Sequence, residues 1–236
     1  MESSLAAVLL AGGHGTRLGR DKATLRLGGE SMVQRTVRQA LRAGVRRPVV
    51  VVNTGNRDMV RRDLAEIGAD AEIVTQRQPG ALGAVLTGLG HAGTPAALFV
   101  AGITDLVPAD TFARLADPAH EAHIAIATAL LRERFVGGML DLTDGGTRVR
   151  RIVERPEGGC PPGAPGNIWI HFFRGADTVR RLVEAVAETG DYESAVNRLI
   201  DNGCEARAVT VRDWVPVKTA RSLTDDRVPG LTEVPR

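Results

Sequence analysis

Leu5-Ala-Ala-Val-Leu-Leu10-Ala-Gly-Gly-His-Gly15-Thr-Arg-Leu-Gly-Arg20-Asp-Lys22 is the stretch that decides the fold of this 236-residue chain. Leu5–Leu10 is a short apolar run that stops at glycine, as a strand buried on both faces does. Glycines at the carboxyl end of such a strand let backbone N–H groups approach an anion closely. Open α/β sheets bind their ligands at that edge. The stretch ends in a lysine, and Lys22 and Lys218 are the chain's two lysines among 30 Lys+Arg. Lysine is a compact, rotatable point charge where arginine is a flat fork. Both lysines sit in motifs, the second in Trp214-Val-Pro-Val-Lys-Thr219.

Working outward, strands and helices alternate. Met32, Val33, Val37, Ala40 and Leu41 recur at helical spacing and Gly44 is a natural stop. Pro48–Val52 is a second buried strand, 56–68 a helix, and Ala71–Thr75 a third strand. Gly80–Gly90 is a helix opened by glycine, and Ala96–Ala101 a fourth strand. This rhythm predicts βαβ units and a mainly parallel sheet. It changes after His120. His123–Leu130 and Arg134–Leu140 read as strands. Asp144-Gly-Gly146 is a hairpin turn answered by Arg148–Val153. Residues 158–166 form a Gly/Pro-rich loop. Asn167–Phe173 is a strand, 177–188 and 192–202 are helical, and Glu205–Val211 is a late strand. The tail from Val228 reads as frayed. The expected fold is α/β: one Rossmann-like domain with a mixed, mainly parallel sheet flanked by helices and a β-hairpin elaboration in the second half. The first half is expected over about residues 1–118 and the second over about 119–226.

Composition narrows the function. Net charge is +2 and aromatics are 3%, so neither bulk charge nor base stacking argues for nucleic acid or membrane as a partner. No apolar run approaches a membrane span, and the first residues lack the pattern of a signal peptide. Cys160 and Cys204 have no zinc or disulfide spacing. The expected compartment is the cytoplasm. Ser31 and Ser194 have no nearby His/Asp pattern, which removes triad hydrolysis.

Two common Gly-rich readings fail. A Gly-x-x-x-x-Gly-Lys-Ser/Thr loop needs glycine before its lysine, and Asp21 stands there. A Gly-x-Gly-x-x-Gly fingerprint from Gly13 needs glycine at Leu18, and the second strand ends at Asn53 with no acid for a ribose. The stretch Leu10–Leu18 instead resembles the loop of sugar-1-phosphate nucleotidyltransferases. Its short continuation Gly19-Arg-Asp-Lys-Ala-Thr-Leu resembles the compact loop of molybdenum cofactor guanylyltransferases. The resemblance spans roughly residues 5–225. It implies that Leu10, Ala11, Gly12, Gly13, Gly15 and Thr16 hold the nucleotide, with Arg17 and Lys22 neutralising the triphosphate. In Gln76-Arg-Gln-Pro-Gly80 it implies a glutamine, Gln76 or Gln78, and Gly80 at the base edge.

Asp105 lies past the fourth strand, at the sheet edge that carries the loop. Triphosphate chemistry calls for Mg²⁺, which takes one or two carboxylates besides phosphate oxygens and water. The resembled family has a metal-binding Asp here. A helix cap is the structural alternative, but Pro108-Ala-Asp110 makes a better helix start. Gly137-Gly138 and Val153-Glu154-Arg155-Pro156 flank the hairpin where the family carries a glycine and Glu-Lys-Pro, which implies that Gly138, Glu154 and Arg155 hold the acceptor. Asn167 matches a sugar-contact strand, and Trp169 is either part of it or core. One departure concerns the metal. Many family members have Trp-x-Asp-x-Gly-Thr with a second metal-binding Asp. Here Pro216 replaces that Asp and Lys218 the Gly, resembling the Pro-Val-Lys-Thr of UDP-sugar pyrophosphorylases. Lys218 is then expected on the acceptor phosphate, with Asp213 a weak substitute ligand.

The implied reaction is attack of a phosphate monoester oxygen on the α-phosphorus of an NTP, releasing pyrophosphate. Arg17, Lys22 and Lys218 would be its catalytic cations. The partners are an NTP and a phosphorylated small molecule, foremost a sugar 1-phosphate. The alternatives are guanylylation of molybdopterin, cytidylylation of a non-sugar phosphate or phosphonate, and non-catalytic nucleotide binding.

Overall fold

The computed structural model describes residues 4–16, 18–103, 105–143 and 146–229. Arg17 and residues 144–145 of the expected hairpin turn lie outside them, as do the last seven residues of the tail. The chain runs β1 (Leu5–Leu10), β2 (Arg26–Leu27), β3 (Glu30–Ser31), α1 (Met32–Arg42), β4 (Val49–Val52), α2 (Arg57–Glu66), β5 (Glu72–Thr75), α3 (Gly80–Ala92), β6 (Ala97–Gly102), β7 (Asp105–Leu106) and α4 (Thr111–Ala116). It continues with β8 (Ile124–Leu130), β9 (Gly138–Leu142), β10 (Val149–Glu154), β11 (Pro165–Arg174), α5 (Ala176–Thr189), α6 (Tyr192–Asp201), β12 (Ala206–Thr210) and β13 (Val215–Pro216).

Among the described residues one nine-stranded sheet runs β10-β9-β11-β6-β1-β4-β5, with β8 and β12 continuing from β11. The pairs β6–β1, β1–β4 and β4–β5 are parallel. β11 lies antiparallel to β6, β8 and β9. The fold is α/β, with a mixed sheet flanked by helices. The unbroken apolar runs have a physical cause, since both faces of the first strands are covered. Leu9, Val50, Val52 and Phe99 pack on one face with Val33 and Val37 of α1, Leu64 of α2 and Phe112 of α4. Val8, Val51, Leu98 and Val100 pack on the other with Val85 of α3, Leu182 of α5 and Val196 of α6. No described helix is long and apolar enough to cross a membrane.

Two expectations change. The strand expected over 134–140 starts only at Gly138, because Phe135 exchanges backbone hydrogen bonds with Cys160 instead (3.0 and 2.8 Å). The loop expected over 158–166 is shorter, because Pro165 and Gly166 already pair with β8. The small pairs β2–β3 and β7–β13 are additions. α1 starts on a capping box: Ser31 accepts from the Gln34 N–H, and Gln34 Oε1 accepts from the Ser31 N–H.

Candidate functional site

The loop after β1 turns back on itself above the sheet edge. Gly15 takes φ +60°, and a Cβ there would lie 1.9 Å from the Arg20 carbonyl oxygen, so the turn admits only glycine. The Gly15 carbonyl accepts from the N–H groups of Leu18 and Gly19 (2.8 and 3.0 Å). The result is a cleft of about 210 Å³ lined by Leu10, Ala11, Gly13, Gly15, Thr16 and Lys22, floored by Ala23 and Ile103. Most of the expected nucleotide residues thus share one cavity. Gly12 sits behind it, with the Gln76 amide oxygen 2.2 Å from where a Gly12 Cβ would be. Of the two glutamine candidates, the structure brings Gln76 to the loop. Gln78 and Gly80 are exposed at the start of α3.

Two residues that sequence reasoning passed over hold this loop from below. Asn56 is 1% exposed and donates to the Ala11 carbonyl and to Asp21 Oδ2, both at 2.8 Å. Asn53, 6% exposed, donates to the Gly12 carbonyl at 3.1 Å. Asp21 in turn accepts from the Thr24 N–H (3.2 Å), which fixes the segment carrying Lys22. The signal was present as Asn53-Thr-Gly-Asn56 right after a buried strand, a pattern whose amides bond locally at strand ends.

Asp105 opens β7, where Pro216 of β13 is its cross-strand partner. The residue that replaces the family's second Asp therefore stands directly opposite the first. Asp105 Oδ2 accepts from Trp214 Nε1 at 2.9 Å. Asp105 Oδ1 is buried with no hydrogen-bond partner among the described residues. A buried carboxylate oxygen left bare calls for a ligand. One carboxylate with a bare oxygen fits the chemistry of Mg²⁺, which takes one or two carboxylates besides phosphate oxygens and water. Asp213 is on an exposed turn at φ 56°, and its charge acts on Arg227.

From Asp105 a packed line leads to the second half. Trp214 meets Phe135 edge-on at 5.5 Å, and Lys218 Nζ lies 3.9 Å from the centre of the Phe135 ring. Lys218 also acts on Glu154, whose side chain is 31% exposed. Desolvation holds the Glu154 carboxyl above its ordinary range, against the pull of Arg155 and Lys218 and with a push from Asp191. Arg155 approaches Glu154 at 3.4 Å with its side chain 75% exposed. Glu154, Asn167 and Gly138 converge: a Cβ on Gly138 would lie 2.4 Å from Glu154 Oε2 and 3.5 Å from Asn167 Nδ2. Asn167 is 4% exposed, yet its Nδ2 has no partner among the described residues. Of the expected acceptor residues, Gly138, Glu154 and Asn167 therefore converge, with a bare donor and a carboxylate either side of the Gly138 backbone, while Arg155 stays largely exposed and Lys218 lies over Phe135.

The family model of the MobA-like NTP transferase domain matches residues 7–136. A molybdenum cofactor guanylyltransferase of Rhizobium johnstonii is 34% identical over 156 residues, 60% of this chain and 66% of that protein. The chain spans 32% and 66% of the length of the first curated relatives it matches. The inositol-1-phosphate CTP transferase of T. maritima superposes with a TM-score of 0.72 at 16% identity, covering 94% of this chain and 93% of that one. UDP-glucose pyrophosphorylase of Acinetobacter baumanii gives 0.71 at 17%, covering 93% and 90%. At such identities the two structures share the fold. Since the family model takes in β1, the Gly-rich loop, Asp105 and more than half of the chain, the chain belongs to the MobA-like NTP transferase family.

Proposed function

We propose that this chain transfers a nucleotide from an NTP to a phosphorylated polyol, foremost a sugar 1-phosphate, and releases pyrophosphate. The observation that carries the acceptor is the gap between Gly138, Glu154 and Asn167. A hydroxyl is the group that accepts from Asn167 Nδ2 and donates to the Glu154 carboxylate at once. A phosphate oxygen would be repelled by Glu154. The triphosphate lies in the cleft of the Gly-rich loop, with Lys22 and Arg17 on the departing pyrophosphate. Asp105 would hold Mg²⁺, which neutralises charge on the phosphates as the α-phosphorus is attacked. Lys218 holds the acceptor phosphate between the two clefts. Such transfer needs alignment and charge neutralisation more than covalent help.

Guanylylation of molybdopterin is the second reading. It is favoured by the family model and by the name of the Rhizobium johnstonii relative. Under it the gap beside Glu154 would face a pterin side chain instead of a polyol ring.

Variants of the gap test the acceptor assignment. Glu154→Gln and Asn167→Ala should each raise KM for the acceptor about tenfold, the worth of one hydrogen bond of roughly 1.4 kcal/mol. KM for the NTP should stay within about twofold of the parent. Loss confined to the NTP would remove the gap from the acceptor site.

A further inference from the structure

β11 does not run straight through the acceptor gap. Its pairing with β8 slips between Asn167 and His171, and Trp169 within the slip has φ 64°. A left-handed residue other than glycine is strained, and the strain persists only where surrounding contacts enforce it. In a regular strand residues four apart lie about 13 Å from each other. The bend instead brings His171 Nε2 to 2.9 Å from Asn167 Oδ1. His171 Nδ1 lies 2.9 Å from the Tyr192 hydroxyl, and the two rings stack at an interplanar angle of 13°. His171 is fully buried and Tyr192 is 2% exposed.

The hydrogens in this line follow from one backbone group. Trp169 N–H donates to the Asn167 amide at 3.1 Å, and a backbone N–H can meet only the oxygen of that amide. Asn167 Oδ1 therefore faces the bend. His171 Nε2, against the same oxygen, must carry its proton. Nδ1 is then bare, and Tyr192 must donate to it. Burial pushes the His171 pKa down to about 3, which keeps the ring neutral. With Oδ1 occupied twice, Nδ2 has one way left to point, toward Gly138 and Glu154. Trp169 is itself tied down by its Nε1, which donates to Glu193 at 2.8 Å, and by its ring against Tyr192 at 4.8 Å.

We propose that His171 and Tyr192, acting through the left-handed bend at Trp169, are positioning residues that lock the Asn167 amide so that Nδ2 donates to an acceptor hydroxyl. This rests on the acceptor reading above and deepens it. The relay makes the site selective for a hydroxyl oxygen at one place on the ring, because the amide cannot turn over to offer its oxygen instead. A lone Asn at a strand end could present either atom and would tolerate either a donor or an acceptor.

Two measurements test it. In ¹⁵N-histidine spectra, with the His171 signals assigned by their loss in His171→Gln, the ring should be the neutral Nε2–H tautomer from about pH 5 to 8. A protonated ring or the Nδ1–H tautomer would overturn the relay. This result is independent of any acceptor, so failure of the polyol reading and failure of the relay are told apart. The kinetic arm uses glucose 1-phosphate and myo-inositol 1-phosphate with their monodeoxy analogues. In the parent, loss of the hydroxyl read by Asn167 should lower kcat/KM about tenfold. In His171→Phe that penalty should fall below about threefold, with KM for the NTP unchanged, and His171→Gln should restore part of it. Tyr192→Phe, a milder change, should weaken discrimination in the same direction and serves if His171→Phe fails to fold. An undiminished deoxy penalty in these variants would reduce His171 and Tyr192 to packing.

Discussion

Lys22 lines the cleft of the Gly-rich loop on a segment fixed by Asp21 and Asn56. If it neutralises the departing pyrophosphate, Lys22→Ala should cost on the order of 10²–10³ in kcat, the usual loss for one charge-stabilising donor. Near-parental turnover by the folded variant would move Lys22 out of the reaction. Glu154 carries a prediction in pH. Its carboxyl is held up first by desolvation, so it becomes neutral at a higher pH than an ordinary glutamate as acid is added. The neutral form no longer draws an acceptor hydroxyl as a carboxylate does. The acid limb of kcat/KM for the acceptor should thus lie above the ordinary glutamate range. Asp191 pushes this pKa up and Lys218 pulls it down. Asp191→Asn should therefore move the limb to lower pH, and Lys218→Met to higher pH. A limb that ignores both variants would belong to another group. Much at this scale was legible. Asp105 and Asn167 stand out by residue type past a strand and after a glycine, Glu154 at the end of one, and Lys22 as one of two lysines, at the close of the Gly-rich run. Asn53, Asn56 and His171 did not, because their work lies in whom they touch across 35 to 45 residues or around a bend.

At the scale of elements, β7 and β13 matter most to the chemistry. They pair over only two residues each, yet they set Asp105 opposite Pro216 and send the chain on to Lys218. So short a pair leaves no period-2 pattern to read, which is why neither strand was foreseen. The replacement of the family's second Asp was visible in the sequence, but its place across from Asp105 needed the register. On the proposed reading, one carboxylate and one lysine would share the work that two carboxylates do in the sugar-1-phosphate enzymes the sequence resembles. Asp105→Asn should raise the Mg²⁺ concentration for half-maximal activity about tenfold or more, since it removes the charge and keeps the shape. Lys218→Ala should instead raise KM for the acceptor and leave the Mg²⁺ titration in place. Matching Mg²⁺ titrations for Asp105→Asn and the parent would return Asp105 to its bond with Trp214. The same limit of local reading explains β9 and β11. The strand read from 134 starts later, because Phe135 spends its backbone groups on Cys160. The bend at Trp169 has no glycine to announce it.

At the scale of the whole molecule, the first half was the clearest. Three apolar runs of four to six residues, covered on both faces, are the mark of a parallel sheet between helix layers, and β1, β4 and β6 are those runs, with β5 (Glu-Ile-Val-Thr) as the more exposed edge beside β4. The second half builds on the same sheet through β11, which pairs with β6 in the middle. We read the chain on that account as one domain, with the nucleotide cleft at the loop after β1 and the acceptor gap where β9, β10 and β11 meet. A packed line Asp105–Trp214–Phe135–Lys218 leads from β7 toward Glu154.

The most direct measurement is pyrophosphate release by the full chain with Mg²⁺, each of the four common NTPs plus dTTP, and a panel of acceptors. The panel holds glucose 1-phosphate, N-acetylglucosamine 1-phosphate, myo-inositol 1-phosphate, 2-aminoethylphosphonate and molybdopterin, with products identified by mass. The expected result is acceptor-dependent pyrophosphate release with one NTP and a polyol phosphate, and a product joining nucleoside monophosphate to that polyol phosphate. Turnover with molybdopterin alone would contradict the polyol acceptor, and nucleotide binding without pyrophosphate release from any pair would contradict nucleotidyl transfer itself.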